Sequence, residues 1–284
     1  MWGCALRSKA CAAAVAVAVA LGAIPGAAAP ARVVSMNLCT DELAMLLAAP
    51  GQLVSISYLA ADPHVSAMAA EAAAYPKNDG QAEAIFLLHP DLVLAGPYSS
   101  RATVGLLRRL GVKVQIVPQP ERLDDVPGLI RSVGAALGQE AKAGAMAARF
   151  TETLAGLRAR RLPSDRAVLF DPNGFTSGAG SMDDRILAAG GFRNVAAELG
   201  LKGYARLPLE RLVMAAPDLV ISAPTYPGQS RPEAIMHHPA IRAMDLRLGQ
   251  RRLRGAGWDC GTPKLLDAIA RLQAAHLPGG DAGE

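Results

Sequence analysis

The sequence has little excess of either charge: 29 Lys and Arg stand against 25 Asp and Glu. Setting aside Arg7 and Lys9, which fall in a leader described below, leaves a net charge of +2. That excludes a nucleic-acid footprint. The one locally basic run, "RAMDLRLGQRRLR" from Arg242, alternates with leucine and reads as a helix end entering an edge strand. Catalytic signatures are missing too. No Walker sequence occurs, and "NGFTSGAG" is not a nucleophile elbow. "TSGAGSMDDR" offers Gly178 and Gly180 but has Asp183 where a dinucleotide loop needs glycine, so it reads as a helix start capped by Ser181. The five histidines are scattered apart from the adjacent His237 and His238, which excludes a dedicated metal site. Asp41 and Glu42 read as helix-start acids favoured by the macrodipole. Aromatics are sparse, at 4%.

What is present begins with a leader. Arg7 and Lys9 precede an Ala/Val/Leu run that Gly22, Pro25 and Gly26 interrupt, the pattern of a secretory signal over residues 1–29 with cleavage between Ala28 and Ala31. Neither Cys4 nor Cys11 sits in a lipoprotein signal, so the product is expected to be soluble and periplasmic. Beyond it, "RVVSM", "QLVSIS", "DLVLA" and "VKVQIV" read as buried strands separated by helices, and the rhythm restarts with "RAVLFD". The expected fold is α/β: two Rossmann-like lobes with parallel sheets, over 30–121 and 164–277, and a 278–284 tail. Within the connecting segment 122–163, Ala143, Met146, Ala147, Phe150, Leu154 and Leu157 recur at helical spacing, so one long rigid helix joins the lobes.

One sentence is written twice. "EAIFLLHPDLVLAGP" from Glu83 and "ERLVMAAPDLVISAP" from Glu210 match at a constant offset (210 − 83 = 127), far too long for a solenoid. Two independent solutions of a common helix-to-strand formula would give the strand, but would not demand the matched Glu and Pro. In the first copy Ala84, Ile85, Leu87 and Leu88 read as the apolar helix face. The few aromatics gather in strand-exit loops: Tyr58, Tyr98, Phe175, Tyr226 and Trp258. Such placement suggests flat walls for a large ligand at the carboxyl ends of the strands. Past the leader only Cys39 and Cys260 remain, and both follow strands that point at the cleft. A disulfide, a thiolate that binds a soft metal or cofactor, and small buried packing all stay open for them.

The stretches "RVVSMNLCTDELAMLLAA", "NDGQAEAIFLLHPDLVLAG", "GFTSGAGSMDDRILAAGGFRNV" and "GTPKLLDAIARL", in this order, resemble the periplasmic binding proteins of cobalamin and ferric-siderophore ABC importers. The resemblance covers essentially the whole chain past the leader. It implies a monomer that catalyses nothing and needs no cofactor. Such a protein captures a small-molecule metal chelate (corrinoid, ferric siderophore or haem) and delivers it to an inner-membrane ABC permease dimer with its ATPase. It implies that Glu83 and Glu210 dock on the permease, which would explain the repeat. It also implies ligand contacts from Asn37, Cys39, Thr40, Tyr58, Phe175, Thr176, Ser177, Tyr204, Trp258, Asp259 and Cys260, to which the loop aromatics Tyr98 and Tyr226 are added. Two positions depart from the cobalamin pattern: Lys77 stands where an aromatic would, and Cys260 where an arginine would. Two other readings stay open: a periplasmic chelatase or ligand-processing enzyme on the same fold, using Cys39, Cys260 and Asp259, and a secreted structural domain with no ligand.

Overall fold

Apolar runs too short for helices alternate here with amphipathic stretches, and each run becomes a strand buried on both faces. The structure, a computed structural model, describes Trp2 and residues 29–223, 230–244, 246, 248–251, 253 and 255–276. The rest of the predicted leader and the predicted tail lie outside these residues. The first half runs β1 (Val33–Ser35), α1 (Leu38–Leu47), β2 (Leu53–Ser57), α2 (Ala69–Ala72), β3 (Lys77–Asn78), α3 (Ala82–Phe86), β4 (Leu92–Ala95), α4 (Arg101–Arg109) and β5 (Val114–Ile116). Then come α5 (Val126–Leu137) and α6 (Glu140–Arg158). The second half runs β6 (Asp165–Leu169), β7 (Phe175–Ser177), α7 (Met182–Ala189), β8 (Phe192–Asn194), α8 (Val195–Glu198), β9 (Tyr204–Arg206), α9 (Leu209–Ala215), β10 (Leu219–Ile221), α10 (Pro239–Arg242), β11 (Gly249–Arg251) and α11 (Lys264–Ala274).

Two all-parallel sheets result, ordered β3-β2-β1-β4-β5 and β11-β10-β6-β8, with β7 and β9 as a separate antiparallel ribbon. Alternation along each strand divides the core. Val33, Leu92, Leu94, Ala167, Leu169, Leu219 and Ile221 point inward to one continuous apolar cluster that also takes in α1, α5, α6, α7 and α11. Val34, Val93 and Ala95 point to an outer layer under α3 and α4. Val168, Phe170 and Val220 point to a matching layer that includes Leu212 of α9. Both sheets thus share their inner core, and each keeps a private outer one.

The long helix is present as α6, with Ala143, Ala147, Phe150, Leu154 and Leu157 buried. It is not a lone rod, because α5 lies against it after a tight turn at Gly138, whose φ is +68°. Gly134 makes the close approach possible: a Cβ there would stand 2.1 Å from that of Ala143.

One expectation needs correction, and two features were not foreseen. The sequence pattern shows neither β3 nor the β7–β9 ribbon, because strands of two or three residues carry too little periodicity. β3 is held instead by Asn78, whose Nδ2 donates to the Ser35 carbonyl (2.9 Å) and Ser55 Oγ (3.0 Å). The predicted apolar face of the first repeat helix is wrong in part. α3 is five residues long and touches the outer layer through Ala82 and Ile85, leaving Ala84 exposed and Leu87 71% exposed.

Gly134→Ala decides between two effects. Helix propensity alone would raise stability by up to about 1 kcal/mol, whereas overpacking against α6 costs about 1–3 kcal/mol. We expect a net loss in urea denaturation.

Candidate ligand-binding site

Ligand crevices in open parallel sheets lie beyond the carboxyl ends of the strands, where the strand order reverses. In the first sheet that point falls between β1 and β4, and in the second it falls between β6 and β10. The loop after β1 opens α1. Asn37 is its N-cap, its Oδ1 accepting from the Cys39 amide (3.1 Å), and its side chain packs so closely on Gly96 that a Cβ there would lie 2.8 Å from Asn37 Cγ. Thr40 is buried and donates to the Asn37 carbonyl (2.8 Å). It supports the loop from beneath.

Cys39 and Cys260 are joined in a disulfide, their Cα atoms 5.0 Å apart across 221 residues of sequence. This resolves the three alternatives left open by the sequence. With both sulfurs in the bond and Cys260 buried, neither is a thiolate for ligand or catalysis. Beside it, Glu42 Oε2 accepts from Thr262 Oγ1 (3.1 Å), and its Oε1 accepts from the Ala67 amide (3.0 Å). Lys264 and Glu71 make an ion pair at 3.7 Å on the same seam. Pro120 also presses on Gly261, where a Cβ would stand 2.3 Å from the proline ring.

Asp41 and Glu42 are therefore not exposed helix-start acids; both are fully buried. Burial pushes the Glu42 carboxyl above its ordinary range. Asp41 is raised to about 6, chiefly by desolvation, although hydrogen bonds from Ser35 and Ser57 oppose the shift. The Ser57 amide (3.1 Å) and hydroxyl (2.5 Å) both donate to Asp41, tying the start of α1 to the end of β2. Sequence alone offered no signal for this, because an acidic pair at a helix start looks the same whether the helix end is wet or covered.

In the second half, the predicted wall residues separate into two groups. Thr176 and Ser177 are buried: Thr176 donates to the Leu169 carbonyl (2.6 Å) and Ser177 to Asp183 Oδ2 (2.5 Å). Trp258 is 1% exposed, its indole N–H donating to Asp183 Oδ1 (2.5 Å). These three are buried, and each spends a hydrogen bond inside the protein. Asp183, passed over in the sequence, pins the ribbon loop and the last loop together. Trp258 and Asp183 line a recess of about 150 Å³ with Gln119, Pro120, Met182 and Gly261. That is below the roughly 300–1,000 Å³ of ordinary ligand pockets.

What stays accessible lies above that floor. Tyr58 (59% exposed) follows β2, and Tyr98 (84%) follows β4. On the ribbon, Phe175 stacks on Tyr204 with centroids 4.9 Å apart and planes 10° apart. The Arg206 guanidinium lies 5.1 Å from the Phe175 centroid. Arg206 was missed, although its place two residues after Tyr204 on one strand face was the available signal. Asp259 is exposed, and Tyr226 lies outside the described residues. Lys77 spends its ammonium on the Ala72 and Tyr75 carbonyls of its own loop. His276, read as scattered, is buried with Nδ1 2.7 Å from Asp165 and Nε2 2.9 Å from the Gly190 carbonyl.

The sequence profile of the family described as periplasmic binding protein matches residues 33–245. No curated protein sequence matches the chain significantly. Among solved structures, the apo form of the periplasmic haem-binding protein RhuT from Roseiflexus sp. RS-1 is similar at TM-score 0.69 and 22% identity, covering 86% of this chain and 97% of that one. The periplasmic haem-binding protein HutB of Vibrio cholerae gives TM-score 0.70 at 18% identity over 85% and 97%. The periplasmic vitamin B12-binding protein BtuF of the same organism gives 0.64 at 20% over 87% and 96%.

Two measurements check the seam. The protein lacking its leader should show no thiol reactive to Ellman's reagent even when denatured, and C39S/C260S should unfold more easily by about 2–4 kcal/mol. For Asp41, the folded value near 6 exceeds the ordinary 3.8. Its contribution to stability is therefore present below pH 3.8 and lost as pH rises through 6. Relative to D41N, the wild type should lose on the order of 2–3 kcal/mol between pH 4 and 7.5 in parallel denaturation curves.

Proposed function

The chain belongs to the periplasmic binding protein family, and from that premise we propose that it captures a bulky metal chelate between its lobes for an inner-membrane ABC permease. The chelate class is a haem, a corrinoid or a ferric siderophore, and the site favours a flat macrocycle. One observation carries this reading: the Tyr204–Phe175 stack with Arg206 beside it stands at the carboxyl end of the second sheet, while Tyr58 and Tyr98 stand exposed at the carboxyl ends of the first. Rings that lie flat and half-bare offer a stacking surface worth about 0.5–1.5 kcal/mol per aromatic pair beyond area burial. A guanidinium at the edge of that surface suits a ligand with carboxylate or other anionic oxygens. The names of the similar solved structures, haem-binding and vitamin B12-binding, support the same class.

In this reading Asn37, Phe175, Tyr58, Tyr98, Tyr204 and Asp259 remain the contact residues, joined by Arg206. The secretory leader at 1–29 takes the chain to the periplasm, and the lobes at 30–121 and 164–277 form the two walls on either side of the 122–163 connector. Glu83 and Glu210, both exposed in the first turn of their helices, dock on the permease. The enzyme alternative loses its cysteine chemistry to the disulfide.

Haemin, cyanocobalamin and a ferric catecholate are each titrated into the purified protein, followed by absorbance and calorimetry. One of them should bind one to one, and Y58A and Y204A should each weaken it at least about tenfold, the scale of a lost aromatic anchor. Failure of all three to bind, or binding indifferent to both substitutions, overturns the reading.

A further inference from the structure

The two repeat helices show solvent more than their glutamates. Phe86 at the end of α3 and Leu87, its C-cap, stand three and four residues after Glu83; on α9, Val213 and Met214 stand three and four after Glu210. That spacing puts each apolar pair on the same helix face as its carboxylate. All four are exposed: Phe86 36%, Leu87 71%, Val213 38% and Met214 85%. The opposite side of each helix is anchored in its outer layer, by Ile85 in one copy and Leu212 in the other. Single exposed apolar residues are ordinary, but the same carboxylate-plus-apolar-pair arrangement occurring in both lobes is not explained by chance exposure.

We infer that Phe86 with Leu87, and Val213 with Met214, are the apolar centres of two equivalent contacts with a two-fold symmetric integral-membrane permease, each with its glutamate as the charged rim. The inference rests on the delivery reading above and adds which side chains carry the affinity. The occupant must present, twice, a cation beside an apolar surface. A second copy of this chain fits less well, because its matching patch brings a further carboxylate rather than the cation each glutamate calls for. An anionic lipid surface fits poorly for the same reason. Exposed ion pairs set register and encounter, while large side chains at the centre of an interface carry most of its affinity. The shared inner core and the disulfide hold the two patches at one separation, as a two-point contact requires.

The test measures binding of the purified protein to right-side-out inner-membrane vesicles of the source bacterium, by sedimentation at low and high salt. The wild type is compared with L87S/M214S and E83Q/E210Q, all checked for unchanged circular dichroism and thermal midpoint. L87S/M214S should raise the apparent Kd at least about tenfold at both salts, and E83Q/E210Q should have a smaller effect that high salt abolishes. A photo-crosslinker placed at position 87 or at position 214 should capture the same polytopic permease subunit, identified by mass spectrometry. If E83Q/E210Q weakens binding and L87S/M214S does not, the apolar centres are wrong and the delivery reading stands. If the wild type shows no saturable binding to these vesicles, the delivery reading falls and the inference with it. Equal binding to protein-free phospholipid vesicles, or a dimer in sedimentation that L87S/M214S dissociates, also overturns the inference.

Discussion

The bond between Cys39 and Cys260 ties the first turn of α1 to the loop before α11, and so ties one sheet to the other at the floor of their shared seam. The polar contacts around it act in the same direction. Glu42 reaches Thr262 across the seam, and Pro120 and Gly261 meet with no room for a Cβ. Removing either partner of the Glu42–Thr262 bond would leave a buried polar group unpaired, which is why such a contact resists opening more than its net strength suggests. The continuous inner core adds to the constraint, since sliding one sheet past the other would expose apolar surface on α5, α6 and α11. A hinge of wide swing is incompatible with that combination.

Rigidity of the floor shapes the site above it. Because the seam is closed where the disulfide, Trp258 and Asp183 lie, the proposed guest would be held by side chains that stand up from the carboxyl ends of the strands. The division of aromatics follows. Phe150, Phe170 and Trp258, with apolar bodies and at most one N–H to satisfy, are fully buried, whereas Tyr58, Tyr98 and Tyr204 stay out. A phenol carries an apolar ring and a polar tip, so it can wait in water without a large penalty and still offer a stacking face. The same rigidity would suit the proposed docking through both outer helices, since two short patches on a stiff body can be read together while two on a swinging body cannot.

Much of this was legible in the chain. The alternation of apolar runs and amphipathic stretches led to two parallel α/β lobes and a long joining helix, because the period of a strand or helix is a property of neighbouring residues. Ser181 as the cap of α7 was readable for the same reason: its hydroxyl bonds the Asp184 amide three residues on. The exposed Tyr58 and Tyr98 followed from their place after strands, since the ends of parallel strands open to solvent, whereas Tyr204 came only from the family resemblance. The burial of Thr176, Ser177 and Trp258 did not follow from the sequence, because a loop residue turns inward or outward according to what another segment leaves uncovered.

By itself, then, the sequence determined the element types, the duplicated Glu-to-Pro unit and the presence of only two cysteines past the leader. Only the tertiary structure decided that those cysteines bond, that Asp41 is buried against the end of β2 and Glu42 against the opposing lobe, and that Leu87 and Met214 face outward. The reason is range: periodicity and capping act over three or four residues, whereas burial at Glu42 depends on Thr262, far along the chain, and no local pattern encodes which distant surface will arrive to cover it.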